Sequence, residues 1–97
     1  MRYQRVRWLH SFPDEPVLIY SEVDDDDAEV RKVEIFLDGR RGYANPAEEI
    51  GGTFLGTLPM PPLAEIASDP QFAPEEISAE DFEAAWSARL SKIPLEE

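Results

Sequence analysis

Four aspartates in a row, Asp24, Asp25, Asp26 and Asp27, are the densest block of potential chemistry in the chain. A calcium loop needs carboxylates at alternating positions, a glycine for its sharp bend and a bidentate acid at its end, and "DDDDAE" has neither the glycine nor the spacing. Two readings remain. One is a solvated turn, since aspartate favours turn conformations. The other is a docking surface for a basic protein partner, whose encounter a compact cluster of charge would speed.

The second block mixes arginines and aromatics at alternating positions. In "YQRVRWLH", period-two alternation puts Tyr3, Arg5 and Arg7 on one side and Gln4, Val6, Trp8 and His10 on the other. Carried across the following strands, the first side collects Tyr20 and Glu22, then Lys32, Glu34 and Phe36, then Arg41 and Tyr43. Tyrosine and arginine are enriched at binding hot spots, and arginine over a ring can hold a carboxylate or a base. Tyr3, Arg5, Arg7, Tyr20, Lys32, Phe36, Arg41 and Tyr43 are therefore the candidate ligand-binding face. The competing reading is a solvated sheet surface held by cross-strand pairs.

Catalytic equipment is sparse. The chain has one histidine, His10, and no cysteine, so thiolate chemistry is excluded and a histidine-rich metal site cannot be assembled. A triad would need Ser11 or Ser21 with this one imidazole and an acid such as Asp14, and no spacing favours it. His10 reads instead as a strand-end residue bonded to a turn. The adjacent pairs Glu48/Glu49 and Glu75/Glu76 carry no specific acid–base signal. Gly51-Gly52 lacks the lysine and the strand-to-helix setting of a phosphate loop. The reading is of a protein that is not an enzyme, with no cofactor and no metal.

Ninety-seven residues, 42% of them hydrophobic, suffice for one domain with a modest core. The net charge of −12 makes nucleic acid and anionic membranes unfavourable partners and a basic protein a favourable one. Seven of the nine bases lie in residues 1 to 45 beside ten acids, so the second half is the strongly acidic one. No segment approaches the length of a membrane span, and a cytoplasmic location is expected.

The elements that position these residues read as strands first and helix last. Strands are expected at residues 3–10, 17–23 and 29–37, with the aspartates at the hairpin tip between the last two. Asp38-Gly39 predicts a two-residue type I′ turn into a fourth strand at "RRGYA". That register places Val33 opposite Ala44 and Glu34 opposite Tyr43, with Val33, Ile35 and Leu37 on the core side beside Gly42 and Ala44. A long loop follows, with at most a short strand at Thr53 to Leu55, then a short helix near 62–68. Ser78 caps the last helix, Asp81 answers it, Ile77 staples onto Phe82, and Phe82, Ala85, Trp86, Arg89 and Leu90 form one apolar stripe ending before Pro94. The expected fold is α+β, a four-stranded, mostly antiparallel β-meander with one face covered by the C-terminal helix and Trp8 pointing toward it.

"RYQRVRWLHSFPDEPVLIYSEVD", "EVRKVEIFLDGRRGYA" and "ISAEDFEAAW" together resemble a family of short uncharacterised bacterial proteins known only as a domain of unknown function. The resemblance covers nearly the whole chain and implies a stand-alone bacterial domain. It brings no activity and no catalytic residues. The reading of function is a small acidic, non-catalytic protein-binding domain, of the immunity or antitoxin kind, that covers a basic partner. The alternative is a module that binds a small ligand or nucleotide on the Arg/Tyr face. The oligomeric state is open.

Overall fold

The computed structural model describes residues 1–90. It is α+β, with six strands and two helices: β1 (Arg2–Trp8), β2 (Pro16–Val23), β3 (Glu29–Phe36), β4 (Arg41–Asn45), β5 (Glu48–Ile50), α1 (Leu63–Ala67), β6 (Phe72–Ile77) and α2 (Ala79–Ser87). All pairings are antiparallel, in the spatial order β5-β4-β3-β2-β1-β6. The first five strands form the expected meander, lengthened by one strand. The chain then crosses behind the sheet and returns as β6 on the free edge of β1. No strand forms at Thr53 to Leu55. Both edges resist pairing with another chain, β6 through Pro74 and β5 through its three-residue length and paired glutamates.

The β3–β4 hairpin decides which side chains share a face. Gly39 has φ 88°, its N–H donates to the carbonyl of Phe36, and the N–H of Phe36 donates to the carbonyl of Arg40. Asp38 stays at negative φ, so the turn is a three-residue loop, Leu37-Asp38-Gly39, and not the two-residue type I′ turn. The extra residue moves the register by one. Val33 faces Tyr43 and Lys32 faces Ala44. A one-residue slip turns every side chain of the strand over, so Tyr43 joins Val33 and Ile35 in the core. Leu37, expected in the core, sits in the loop at 80% exposure.

Helix α2 packs on the face that carries Tyr3, Leu18, Tyr20, Val33, Ile35 and Tyr43. These close around Phe82 and Ala85, with Ile77 and Trp86 at the margin. Val33 and Ile35 lie in the core as expected, but Tyr3, Tyr20 and Tyr43 are expected on the open face and instead join them: Tyr20 is 4% and Tyr43 8% exposed. The apolar body of each tyrosine contributes to burial as a phenylalanine would, about 2 kcal/mol or more per side chain. Trp8 points to the other side, where its indole N–H donates to Gln71 Oε1 at 2.7 Å.

The cap of α2 forms as its sequence predicts, with Asp81 N–H donating to Ser78 Oγ at 3.0 Å. Its apolar stripe is shorter than expected, because the helix ends at Ser87. Arg41 donates to the carbonyl of Ala88 at 2.8 Å and Arg89 to that of Trp86 at 2.9 Å, so arginines satisfy carbonyls that a continuing helix would use. Leu90 is left 74% exposed. Pro94, expected to terminate the helix, lies outside the described residues.

Candidate functional site

The crossing segment between β5 and β6 covers the face of the sheet opposite α2. The strand registers lay that face out in rows. One row runs Glu76, Gln4, Ser21, Lys32, Ala44 and is polar over its first four members; the next runs Pro74, Val6, Ile19, Glu34, Gly42 and is apolar over its first three. Side by side they make an amphipathic floor.

Two carboxylates, a lysine and a backbone carbonyl hold the crossing segment over this floor, and a glycine makes room for it. Glu29, buried beside Ser21, takes hydrogen bonds from Ser21 Oγ at 3.0 Å and from Gly56 N–H at 2.6 Å, and its Oε1 is 3.0 Å from Lys32 Nζ. Lys32 also donates to the carbonyl of Phe54 at 3.2 Å. Glu34 accepts from Thr53 Oγ1 at 2.7 Å, and the carbonyl of Asp27 accepts from Met60 N–H at 2.7 Å. Gly42 makes room: a Cβ built there would lie 2.1 Å from Thr53 Oγ1. Ser21 and Lys32 thus both bond to Glu29, and Glu29 and Lys32 bond to the loop.

Beyond this clamp the segment lifts off the sheet and encloses a cleft of about 380 Å³. Its floor is Gln4, Val6, Ile19 and Ser21, with Glu29 and Lys32 at one end; its cover is Met60, Pro61, Glu65 and Ile66, closed by Asp69 and Phe72. Its volume falls within the range of small-molecule pockets, and its lining mixes apolar walls with polar and charged groups. Gln4 is the group that stands out. It is 2% exposed, and its Nε2 donates to Met60 Sδ at 3.5 Å, which orients the amide. Its Oε1 has no hydrogen-bond partner among the described residues. An unsatisfied buried carbonyl costs about 1–3 kcal/mol.

The candidate ligand-binding face divides. Tyr3, Arg5, Arg7, Tyr20, Arg41 and Tyr43 lie on the α2 side, while Lys32 and Phe36 lie on the cleft side. On the α2 side arginines and rings make a structural stack. Arg31 lies over Phe82 and Trp86 at 4.9 and 5.0 Å, and Arg89 over Trp86 and Tyr43 at 4.3 and 4.9 Å. Arg5 pairs with Glu75 across β1 and β6. Burial and the neighbouring Glu22 carboxylate push the Tyr3 phenol above its ordinary value. Lys32 is therefore the member of the expected set that reaches the cleft. Phe36 helps line a smaller recess with Trp8 and Phe54, where Arg40 lies over its ring at 4.2 Å.

The aspartate run sits at the β2–β3 tip as expected. Asp24 Oδ1 accepts from the N–H groups of Asp26 at 2.9 Å and Ala28 at 3.0 Å. Asp27 adopts φ 65° and pairs with Arg2 at 2.6 Å. Asp25 and Asp26 are exposed. His10 bridges its turn, its ring taking the N–H of Phe12 at 2.9 Å and facing the carbonyl of Pro16 at 2.8 Å. Among the described residues no group of three or more histidines and acids is placed to hold a metal ion.

Gln4, Glu29 and Met60 escape the sequence reading, which weighs Ser21 only as a triad serine. The one signal was polar residues, Gln4 and Ser21, interrupting positions that alternation assigns to a buried face. The family described as a domain of unknown function (DUF6881) matches residues 2–91. No curated protein and no solved structure matches the chain.

Proposed function

We propose, for a chain that belongs to the DUF6881 family and takes no assigned activity from it, a non-catalytic module that binds a small amphipathic molecule in the cleft behind the sheet. The observation that carries this reading is Gln4 Oε1, an acceptor buried in the floor of a cleft whose apolar walls include Val6, Ile19, Ile66 and Phe72. Buried polar groups are retained where something completes them. The test is a titration of the labelled protein with fragment-sized amphipathic compounds, followed by amide chemical shifts. Saturable shifts centred on Gln4, Val6 and Ile66 support the reading; a whole panel that moves none of them removes it.

A second reading, an acidic domain of the immunity or antitoxin type that covers a basic protein, is favoured by the excess of 21 acids over 9 bases. Asp14, Glu15 and Glu34 rim the recess of Trp8, Phe36 and Phe54, and Arg40 shows that a guanidinium stacks there. Affinity capture from the native host at low salt is the test. A basic protein that elutes as salt rises supports it, and the absence of any retained basic protein counts against it.

A further inference from the structure

We infer that the occupant of the cleft is an organic cation, a primary or secondary ammonium on a short apolar body. The inference rests on the ligand-binding reading above and adds the sign and type of the polar group.

The argument starts from which polar groups of the lining are already engaged. Lys32 faces Glu29 Oε1 at 3.0 Å and donates to Phe54 O, and Ser21 donates to Glu29 Oε2, so the one cation of the lining is neutralised by its neighbour. What remains is acceptor in character. Gln4 Oε1 has no partner among the described residues, and the Met60 sulfur holds the other end of that amide, so rotating it would set two acceptors against each other. Glu65 and Asp69 then add two negative charges to the same lining with no ion pair to a described residue. Asp69 is engaged only by neutral donors, the backbone and side-chain amides of Gln71 at 3.1 and 3.2 Å.

An orphan acceptor selects an N–H or O–H donor, and two carboxylates at the rim select positive charge; an ammonium supplies both from one atom. A carboxylate or phosphate would meet the orphan carbonyl and both acids with like polarity, in a protein of net charge −12. The apolar body is required by the walls, where Val6, Ile19, Ile66 and Phe72 offer no polar side-chain atom.

The experiment uses three probes of equal length, hexylamine, hexan-1-ol and hexanoate, titrated into the full chain at pH 7 with binding read from amide shifts at Gln4, Val6 and Ile66. Hexylamine is expected to bind at least tenfold more tightly than either of the others, and the preference to weaken as salt is raised. Asp69→Asn keeps an oxygen for the Gln71 backbone N–H and removes the charge, and is expected to lower hexylamine affinity severalfold while leaving hexanol unchanged. Gln4→Leu removes the acceptor that either donor would use and is expected to weaken hexylamine and hexanol alike, leaving the preference for amine over alcohol to the two carboxylates. Hexanol or hexanoate binding at the cleft as tightly as hexylamine overturns the cation and leaves the ligand-binding reading standing. Cleft amides unmoved by all three probes overturn the cation, and the wider fragment panel then decides the reading beneath it.

Discussion

Arg31 Nε donates to Glu22 Oε1 at 2.6 Å and Arg31 Nη2 to Glu22 Oε2 at 3.1 Å, a two-bond clasp beneath α2. Glu83 of α2 closes the same guanidinium from above, so one side chain of β3 ties sheet to helix. The Glu22 side chain is 8% exposed and that of Arg31 20%, which places this pair among those whose breakage leaves an uncompensated charge. Arg31→Ala is expected to cost about 3 kcal/mol of stability, read as a lower urea midpoint. Arg31→Lys recovers only part, because an ammonium cannot make the bidentate clasp or stack on Phe82 and Trp86. A midpoint unchanged in Arg31→Ala would show that the clasp contributes nothing to the fold.

The same clasp sets an acid limit. The hydrogen bonds from Arg31 hold the Glu22 carboxyl below its ordinary value of 4.5, so between the folded and unfolded values the unfolded chain binds the extra proton. The stabilisation is complete above about pH 4.5 and is lost as pH falls through the lowered folded value. Urea midpoints are expected to hold from pH 7 to about pH 5 and to decline below that. In Arg31→Ala the acid-side decline should be shallower, since the shift it removes is the source of the slope.

Gly42 and Thr53 fix the crossing segment to the sheet. A methyl group at position 42 would stand 2.1 Å from Thr53 Oγ1 and 3.0 Å from the carbonyl oxygen of Ile50. Gly42→Ala therefore forces Thr53 outward and takes the hydroxyl from Glu34, an overpacking cost of about 1–3 kcal/mol. Thermal unfolding measures the loss. Amide shifts should change along residues 50 to 56 and leave α2 in place; shifts concentrated in α2 instead would contradict this account.

How much of this was legible in the sequence depends on how local each signal was. The start of α2 could be read because Ser78, Asp81 and Phe82 are neighbours, and capping is a local contest between side chain and backbone. The face of β4 could not, because it turns on whether Asp38 takes positive φ, and the sheet settled that choice. Strand β6 was invisible for a different reason. "FAPEEI" has a proline and two glutamates and little β preference, and it becomes a strand only because the edge of β1 accepts it. The cleft follows from β6, since the chain must cross behind the sheet to reach that edge. Gln4 and Ser21 did show as polar breaks in alternating strands, but nothing local reveals that one amide oxygen is left without a donor.

The aspartate run yields the last prediction, because its four members do different work. Asp24 Oδ1 holds two backbone N–H groups of the turn, so Asp24→Ala should cost about 1–2 kcal/mol. Asp27 sits at φ 65°, where glycine is at ease, so Asp27→Gly exchanges an exposed ion pair with Arg2 for relief of backbone strain and should change stability little. Asp25, 97% exposed at its side chain, and Asp26 make no comparable bond to the turn, and the double variant Asp25→Asn/Asp26→Asn should lie within about 0.5 kcal/mol of the parent. That variant is then a clean probe of docking, since it lowers the charge at the tip by two without loosening the hairpin. If a basic partner is captured, weaker capture by this variant at low salt assigns the tip to the interface. Equal capture confines the aspartates to building the turn and moves the search to the acids around Trp8, Phe36 and Phe54.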